Sequence, residues 1–317
     1  MSMKYRYQNK QPVDYSFWWA AIGTFLVGLF LWGWFTPKPL ASSENRSYDP
    51  KPQKWQMMCA SLQEVVDQYH KGEVGVFLKD LRSGRTFEYN ADRMFISASL
   101  IKVPVMAATF KAIEEGKLTL NTKFKMKSAY RKGGAGKLKW SRSGENYSLS
   151  FLIYMMITQS DNTATAMVID KLGYDYLNTV FNKLGLQTTR INPKGMSLAN
   201  RLDPSLDNYT TAREMGSLLE KIYHHQVVQD GLSDLMIEIM KRANHKSRLA
   251  QNMPKNFIFA RKTGTLRKNC HDMGIIYSPD GDYVMCVLTG ENKDYQVAKT
   301  LISNVGKKAY EFMNQAS

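Results

Sequence analysis

The chain is poor in the residues that hold metals or staple small folds. Its 317 residues include three cysteines, Cys59, Cys270 and Cys286, and five histidines, His70, His224, His225, His245 and His271. Three cysteines are too few for a disulfide framework, and an odd count leaves at least one thiol free or paired between chains. No disulfide is expected. There is no His-Glu-x-x-His or Cys-x-x-Cys arrangement, so neither a metal site nor a bound cofactor is expected. There is no internal repeat, which excludes a repeat architecture. Acidic residues are scarce too, at 28 against 43 basic ones, for a net charge of +15. Residues 117–142 contain none at all, while Lys117, Lys123, Lys125, Lys127, Arg131, Lys132, Lys137, Lys139 and Arg142 all fall there. Hydrophobic residues make up 44% of the chain, enough for a substantial core, and the length suits one large domain with an appendage.

The clearest apolar run is 17–35, nineteen residues without a charge. As a helix it would cover nearly the ~30 Å hydrocarbon core of a bilayer. Trp18, Trp19, Trp32 and Trp34 sit near its ends, where amphipathic rings favour the membrane interface, and Lys4, Arg6 and Lys10 precede it. These features predict a transmembrane signal anchor with residues 1–16 in the cytoplasm. A cleaved signal peptide fits less well, because the run exceeds the usual ~7–15 apolar residues and Pro39 disturbs the small-residue pattern before Ala41. From 36 to 54, Pro37, Pro39, Pro50 and Pro52 stand among Ser, Asn and Lys, a composition that stays extended and solvated. This segment reads as a tether. The folded domain is expected to occupy 55–317, on the outer side of a bacterial cytoplasmic membrane crossed once.

After the tether the pattern alternates between helical and strand periods. Met58, Leu62, Val65, Val66 and Tyr69 have helical spacing over 55–71, with Gly72 as the expected cap. Residues 74–80 and 85–89 read as strands joined by Leu81-Arg82-Ser83-Gly84, a hairpin turn. A helix is expected over 99–115, with Pro104 tolerated in its first turns. Residues 257–265, 272–277 and 283–290 read as three more strands, and 297–313 as a closing helix. Strands at both ends with helices between them predict an α/β (α+β) protein, with one antiparallel five-stranded sheet flanked by helices plus an all-helical lobe. The functional site should lie between the two lobes.

Three short runs carry the chemistry: Ser99-Leu100-Ile101-Lys102, Ser160-Asp161-Asn162 and Lys262-Thr263-Gly264. One helical turn places Lys102 beside Ser99, and a lysine in a desolvated, positively charged pocket gives up its proton more readily. Taken singly, each run also reads as ordinary structure: a helix start, a turn and an edge strand. Their order and spacing, 61 residues from Ser99 to Ser160 and 102 from Ser160 to Lys262, resemble class A β-lactamases and the related penicillin-binding D,D-peptidases. The resemblance covers roughly 56–317 and implies the same two-lobed fold. It also implies Ser99 as nucleophile, Lys102 as its base, Ser160 as proton relay and Lys262 as the second catalytic lysine. Asn162, Thr263 and Gly264 would bind substrate, and the backbone N–H groups of Ser99 and Thr265 would form the oxyanion hole.

One position departs from the family pattern. Class A β-lactamases carry an Arg-x-Glu-Pro stretch between the second and third motifs, whose glutamate activates the water that frees the acyl-enzyme. Here the stretch reads Arg190-Ile191-Asn192-Pro193, and no glutamate occurs from Asp161 to Arg213. An amide cannot serve as general base. Asp203 is the other close carboxylate, and Asp207 stands near the place where a family aspartate pairs with the loop arginine. The expectation is a serine hydrolase that forms an acyl-enzyme on Ser99 with β-lactams or D-alanyl-D-alanine peptides of peptidoglycan and releases β-lactam acyl groups slowly. A genuine class A-type β-lactamase and a non-catalytic wall-binding module are the alternatives. The basic stretch 117–142 would border the cleft with Gly133-Gly134-Ala135-Gly136 as a mobile tip. Its expected partners are anionic wall polymers or lipid headgroups, and nucleic acid is not expected.

Overall fold

The computed structural model describes residues 52–195, 206–243, 246–254, 257–279 and 281–313. The apolar run at 17–35, most of the tether at 36–54 and Asp203 lie outside these residues. Among the described residues no helix is long and apolar enough to cross a membrane.

A five-stranded antiparallel sheet organises the fold, in the order β2 (Thr86–Tyr89), β1 (Glu73–Asp80), β9 (Tyr283–Gly290), β8 (Asn269–Ile276) and β7 (Phe259–Leu266). The hairpin expected around Gly84 is present, with that glycine at φ +75, a left-handed conformation that costs a glycine little. β8 begins at Asn269, earlier than the expected Asp272, because the β7–β8 turn needs only Arg267-Lys268, with Arg267 left-handed at φ +48.

Successive side chains of β1 and β9 go to opposite faces, and both faces are covered. Val74, Val76, Leu78, Met285 and Val287 pack with Met58, Leu62 and Val66 of α1 (Pro52–Asp67) and with Leu301, Ile302 and Val305 of α8 (Tyr295–Met313). Phe77, Val284, Cys286 and Leu288 join the other core, shared with the helical lobe. A central strand buried on both sides must be apolar throughout, which is why β8 and β9 read as continuous buried runs. All three cysteines are free thiols.

α1 starts at Pro52, inside the expected tether, because a proline at the first helical position lacks only an N–H that has no partner there. It stops at Asp67, short of the expected Lys71. The Tyr69 N–H turns back to the Val66 carbonyl at 3.1 Å, and the Tyr69 hydroxyl donates to Asn292 Oδ1. Gly72 is therefore no cap. A Cβ there would lie 2.6 Å from the Gly290 carbonyl oxygen, so the missing side chain admits the close approach to β9.

The helical lobe holds α2 (Lys102–Glu114), α3 (Leu149–Thr158), α4 (Asn162–Leu172), α5 (Tyr174–Lys183), α6 (Ala212–Tyr223) and α7 (Asp230–Lys241). α6 lies directly on the sheet, where a Cβ on Gly216 would fall 2.1 Å from the Phe77 ring. Two small ladders then bring loops to the boundary between lobes. β3 (Phe95–Ile96) pairs with β6 (Tyr209–Thr210), and β4 (Lys123–Lys125) with β5 (Asn146–Ser148). The first ladder is continued by the Ser97 N–H donating to the Asn208 carbonyl at 2.7 Å, which sets the segment entering Ser99 beside the segment leaving the 190s loop.

Candidate active site

Ser99 sits in a 3-10 turn, Ala98–Ile101, that runs straight into α2 at Lys102. Pro104 falls in the first turn of that helix, where it displaces no helical hydrogen bond. The turn is entered through Ala98 at φ +47, and the second motif through Ser160 at φ +52. A side chain in the left-handed region carries about 1–2 kcal/mol of strain. Both strained residues lie at one point between the lobes, and the surrounding structure holds them there.

Lys102 is fully buried, and its Nζ reaches Ser99 Oγ at 3.2 Å, the Ser160 carbonyl at 2.6 Å, Ser160 Oγ at 3.0 Å and Asn162 Oδ1 at 2.7 Å. The carbonyl and the amide oxygen can only accept, so they take two N–H bonds. A neutral amine then has one lone pair left, and only the two hydroxyls remain for it. Burial lowers the proton affinity of Lys102 well below that of an ordinary lysine, and the positive charge of Lys262 lowers it further. The geometry and the electrostatics both suit a base that takes the Ser99 proton.

Lys262, on β7, is also fully buried. Its Nζ lies 3.0 Å from Ser160 Oγ and 2.9 Å from the Thr263 carbonyl. Burial brings its pKa down to about 7, Asp272 opposing the shift and Arg248 adding to it. Ser160 Oγ thus stands 3.0 Å from each of two amines, a bridge able to pass a proton between them. Gly264 follows Lys262 in the strand with no side chain to crowd the site, and a Cβ there would meet His271 Cδ2 at 3.2 Å.

A cavity of about 750 Å³ opens in front of this network. Ser99, Asn162, Asn192 and Thr265 all line it, and so do Asn208 and residues 132–135. The structure therefore brings together Ser99, Lys102, Ser160, Asn162 and Lys262, with Thr265 on the same cavity wall. Thr263 enters the network only through its carbonyl. No group of His, Cys, Asp or Glu side chains suited to a metal occurs among the described residues.

The glycine-rich run is not the mobile tip its composition suggests. The Leu138 N–H donates to Asp161 Oδ2 at 2.9 Å, the Asn162 N–H to the Ala135 carbonyl at 3.1 Å, Asn162 Nδ2 to the Gly133 carbonyl at 2.8 Å and the Lys132 N–H to Thr163 Oγ1 at 3.1 Å. A Cβ on Gly136 would fall 2.2 Å from the Asp161 carboxyl, so the glycine serves close contact at φ +97. Asp161 also caps α4 by accepting from the Ala164 N–H at 2.9 Å.

The 190s loop is held differently from the expectation. Arg190 does not pair with Asp207: its Nη1 donates to the Leu186 and Thr189 carbonyls at 2.7 and 3.0 Å, whereas Asp207 forms a buried ion pair with Arg267. Asp207 lies on the sheet side of the loop, within reach of the β7–β8 turn, and the arginine turns back to its own strand of chain. Glu214 pins the base of the loop, accepting from the Thr188 and Thr189 N–H groups at 2.6 and 2.7 Å. Asn192 Oδ1 accepts from the Lys194 N–H at 3.0 Å, and the Asn192 N–H donates to Asn208 Oδ1 at 2.7 Å.

Three supporting residues were not found from the sequence. Arg248 donates to Thr265 Oγ1 at 2.7 Å and to the His271 carbonyl at 3.1 Å, which places a guanidinium beside Thr265 of the cavity wall. Asp272, buried in β8 opposite Thr263, accepts from the Arg248 and Leu249 N–H groups at 2.6 and 3.0 Å and from Ser247 Oγ at 2.7 Å, and burial raises its pKa. His271 receives the Thr289 N–H on Nδ1 at 3.2 Å and donates from Nε2 to the Ile96 carbonyl at 2.8 Å. Its ring is neutral, burial taking its pKa down to about 4, and it ties β8 to the strand that leads into Ser99. The signals in the chain were single residues without a spacing rule.

A cavity-lining serine beside a buried lysine, a second lysine across a shared serine and a cavity between two lobes define an active-site serine hydrolase. Residues 58–313 match the β-lactamase enzyme family, and the chain belongs to it. It is 22% identical over 263 residues to the β-lactamase VEB-1 of Pseudomonas aeruginosa, covering 78% of this chain and 88% of that one. Among solved structures it is similar to PBP-A, with a TM-score of 0.74 at 30% identity over 80% of this chain and 95% of that one. A PBP-A mutant solved as an acyl-enzyme complex with penicillin G aligns with a TM-score of 0.73 at 29% identity, over 81% of this chain and 96% of that one.

Proposed function

We propose that the protein is a membrane-anchored hydrolase that forms an acyl-enzyme on Ser99 with β-lactams or D-alanyl-D-alanine peptides, and that it releases β-lactam acyl groups slowly. The observation that carries this reading is the neutral-favouring Lys102 Nζ at 3.2 Å from Ser99 Oγ. In acylation Ser99 Oγ attacks the substrate carbonyl while its proton moves to Lys102 Nζ. The carbonyl electrons collect on oxygen, where the N–H groups of Ser99 and Thr265 act as donors. Ser160 then passes a proton to the leaving nitrogen as the carbonyl re-forms and the C–N bond breaks, which leaves the acyl group on Ser99. Lys262 replenishes Ser160, and with Arg248 it attracts a substrate carboxylate.

Deacylation needs a base for water, and Asn192 offers none. Its amide, which accepts from the Lys194 N–H, can hold a water but cannot take that water's proton. PBP-A, seen as a penicillin G acyl-enzyme in its mutant form, is a similar protein in which such an adduct was captured. The β-lactamase relatives favour the second reading, efficient β-lactam turnover, which would require another base. The charge-free run 17–35 supports anchoring to the cytoplasmic membrane with the hydrolase domain outside.

Labelling the detergent-solubilised full chain with a fluorescent penicillin, followed by intact mass over time, tests the proposal. A mass increase of one penicillin that persists, and is lost in Ser99→Ala, is expected. Asn192→Glu should speed loss of the adduct about a hundredfold, the range a positioned general base contributes. No adduct on a folded chain would refute acylation, and rapid release of hydrolysed drug by the parent would refute the role given to Asn192.

A further inference from the structure

Basic residues 123–142 form one concentrated run of exposed positive charge. In this stretch Lys123, Lys125, Lys127, Arg131, Lys132 and Arg142 are exposed, and none of them has a carboxylate within ion-pair distance among the described residues. Unpaired like charges repel one another, and a fold keeps them together only against that repulsion.

The cations are also held in place. Four hydrogen bonds fasten 132–138 to Asp161, Asn162 and Thr163, so the rim has a fixed position relative to Ser99. Lys123 and Lys125 project from the β4–β5 ladder with buried Phe124 between them, an alternation that sets both ammonium groups on one outer face. Within the same run of sequence Trp140 is 81% exposed, its ring 5.5 Å from the Lys139 ammonium. Lys132 lines the same cavity as Ser99, so the charged surface runs into the mouth of the site.

We propose that this rim binds a flexible polyanion, a polymer with repeated phosphate or carboxylate groups, and so favours substrates of Ser99 that are carried on such a chain. Many exposed cations on one stretch suit a chain that carries many anions, and the exposed Trp140 ring offers an apolar plane for the links between them. A lipid surface fits less well, because a bilayer seated on the rim would cover the cavity that the rim borders. The proposal rests on the acyl-transfer reading of Ser99 for its consequence, though binding itself needs no chemistry.

The probe is fluorescently labelled inorganic polyphosphate, titrated by anisotropy into the full chain in non-ionic detergent micelles, with acylation by penicillin read separately. Failure of one leaves the other standing. Parent protein should bind, and if about four phosphates are neutralised affinity should fall by tens of fold between 50 and 200 mM salt, as counterion release requires. The variant Lys123→Gln/Lys125→Gln/Lys127→Gln/Arg142→Gln should bind roughly tenfold or more weakly. Single variants at the same positions, each with a partial loss, provide the reading if the fourfold variant does not fold. Equal binding by parent and variants would overturn the proposal. So would displacement of polyphosphate by phosphatidylglycerol added to the micelles with the same charge dependence, which would make the rim a membrane surface instead.

Discussion

Two groups of lysines in this molecule share a side chain and almost nothing else. Lys102 and Lys262 are wholly buried, and each Nζ lies 3.0 Å from Ser160 Oγ. Lys123, Lys125 and Lys127 stand in solvent and meet no carboxylate among the described residues. Burial penalises the charged form, so the inner lysines become candidate proton carriers, while the outer ones keep their charge and act at a distance. Composition counts all of these equally in a net charge of +15. What separates them is whether the fold removes water.

The sharpest way to break the contrast is at Lys102. Lys102→Met keeps the volume and removes the proposed base, and acylation by fluorescent penicillin should fall about a thousandfold. Lys102→Arg should fail as badly, since a guanidinium cannot lose its proton. Retained acylation in either variant would mean that another group takes the Ser99 proton.

A smaller effect should follow from loosening the joint between the two regions. In Gly136→Ala the new methyl group would fall 2.2 Å from the Asp161 carboxyl, at a φ of +97 that disfavours any side chain. Urea denaturation should show a loss of about 2 kcal/mol. The acylation rate should drop together with stability, because Asp161 and Asn162 hold both the rim and the amine.

The smallest expected effect is in pH dependence. Lys262 has a native pKa of about 7 against an ordinary value near 10.5, so between those values the unfolded chain binds more protons than the native one. Stability from this group therefore rises with pH over that window and is lost as pH falls through 7. The thermal midpoint of the parent should gain more between pH 7 and 9 than that of Lys262→Met, and parallel profiles would place the low pKa elsewhere.

The sequence made the side chains that meet in the cavity legible because each lies in a short run with a fixed local geometry. Ser99 and Lys102 are one helical turn apart, and Lys262 precedes a strand glycine. The sheet was legible for a related reason, since β9 is apolar on both faces and β1 nearly so. What escaped were contacts between distant segments. Asp207 chose Arg267 over Arg190, and Arg248 reached Thr265 from a loop with no regular pattern. The glycines at 133–136 carry the same lesson. Glycine signals both freedom and close contact, and only the presence of Asp161 and Asn162 against them decides between the two.

Ser160 has one further consequence, for how such a chain would drift over generations. Its backbone at φ +52 suits glycine better than serine, so Ser160→Gly would relax the turn while removing the hydroxyl that both lysines share. Stability pulls this position one way and chemistry the other. Once hydrolysis ceased to matter, a glycine here would be the change that the backbone itself rewards.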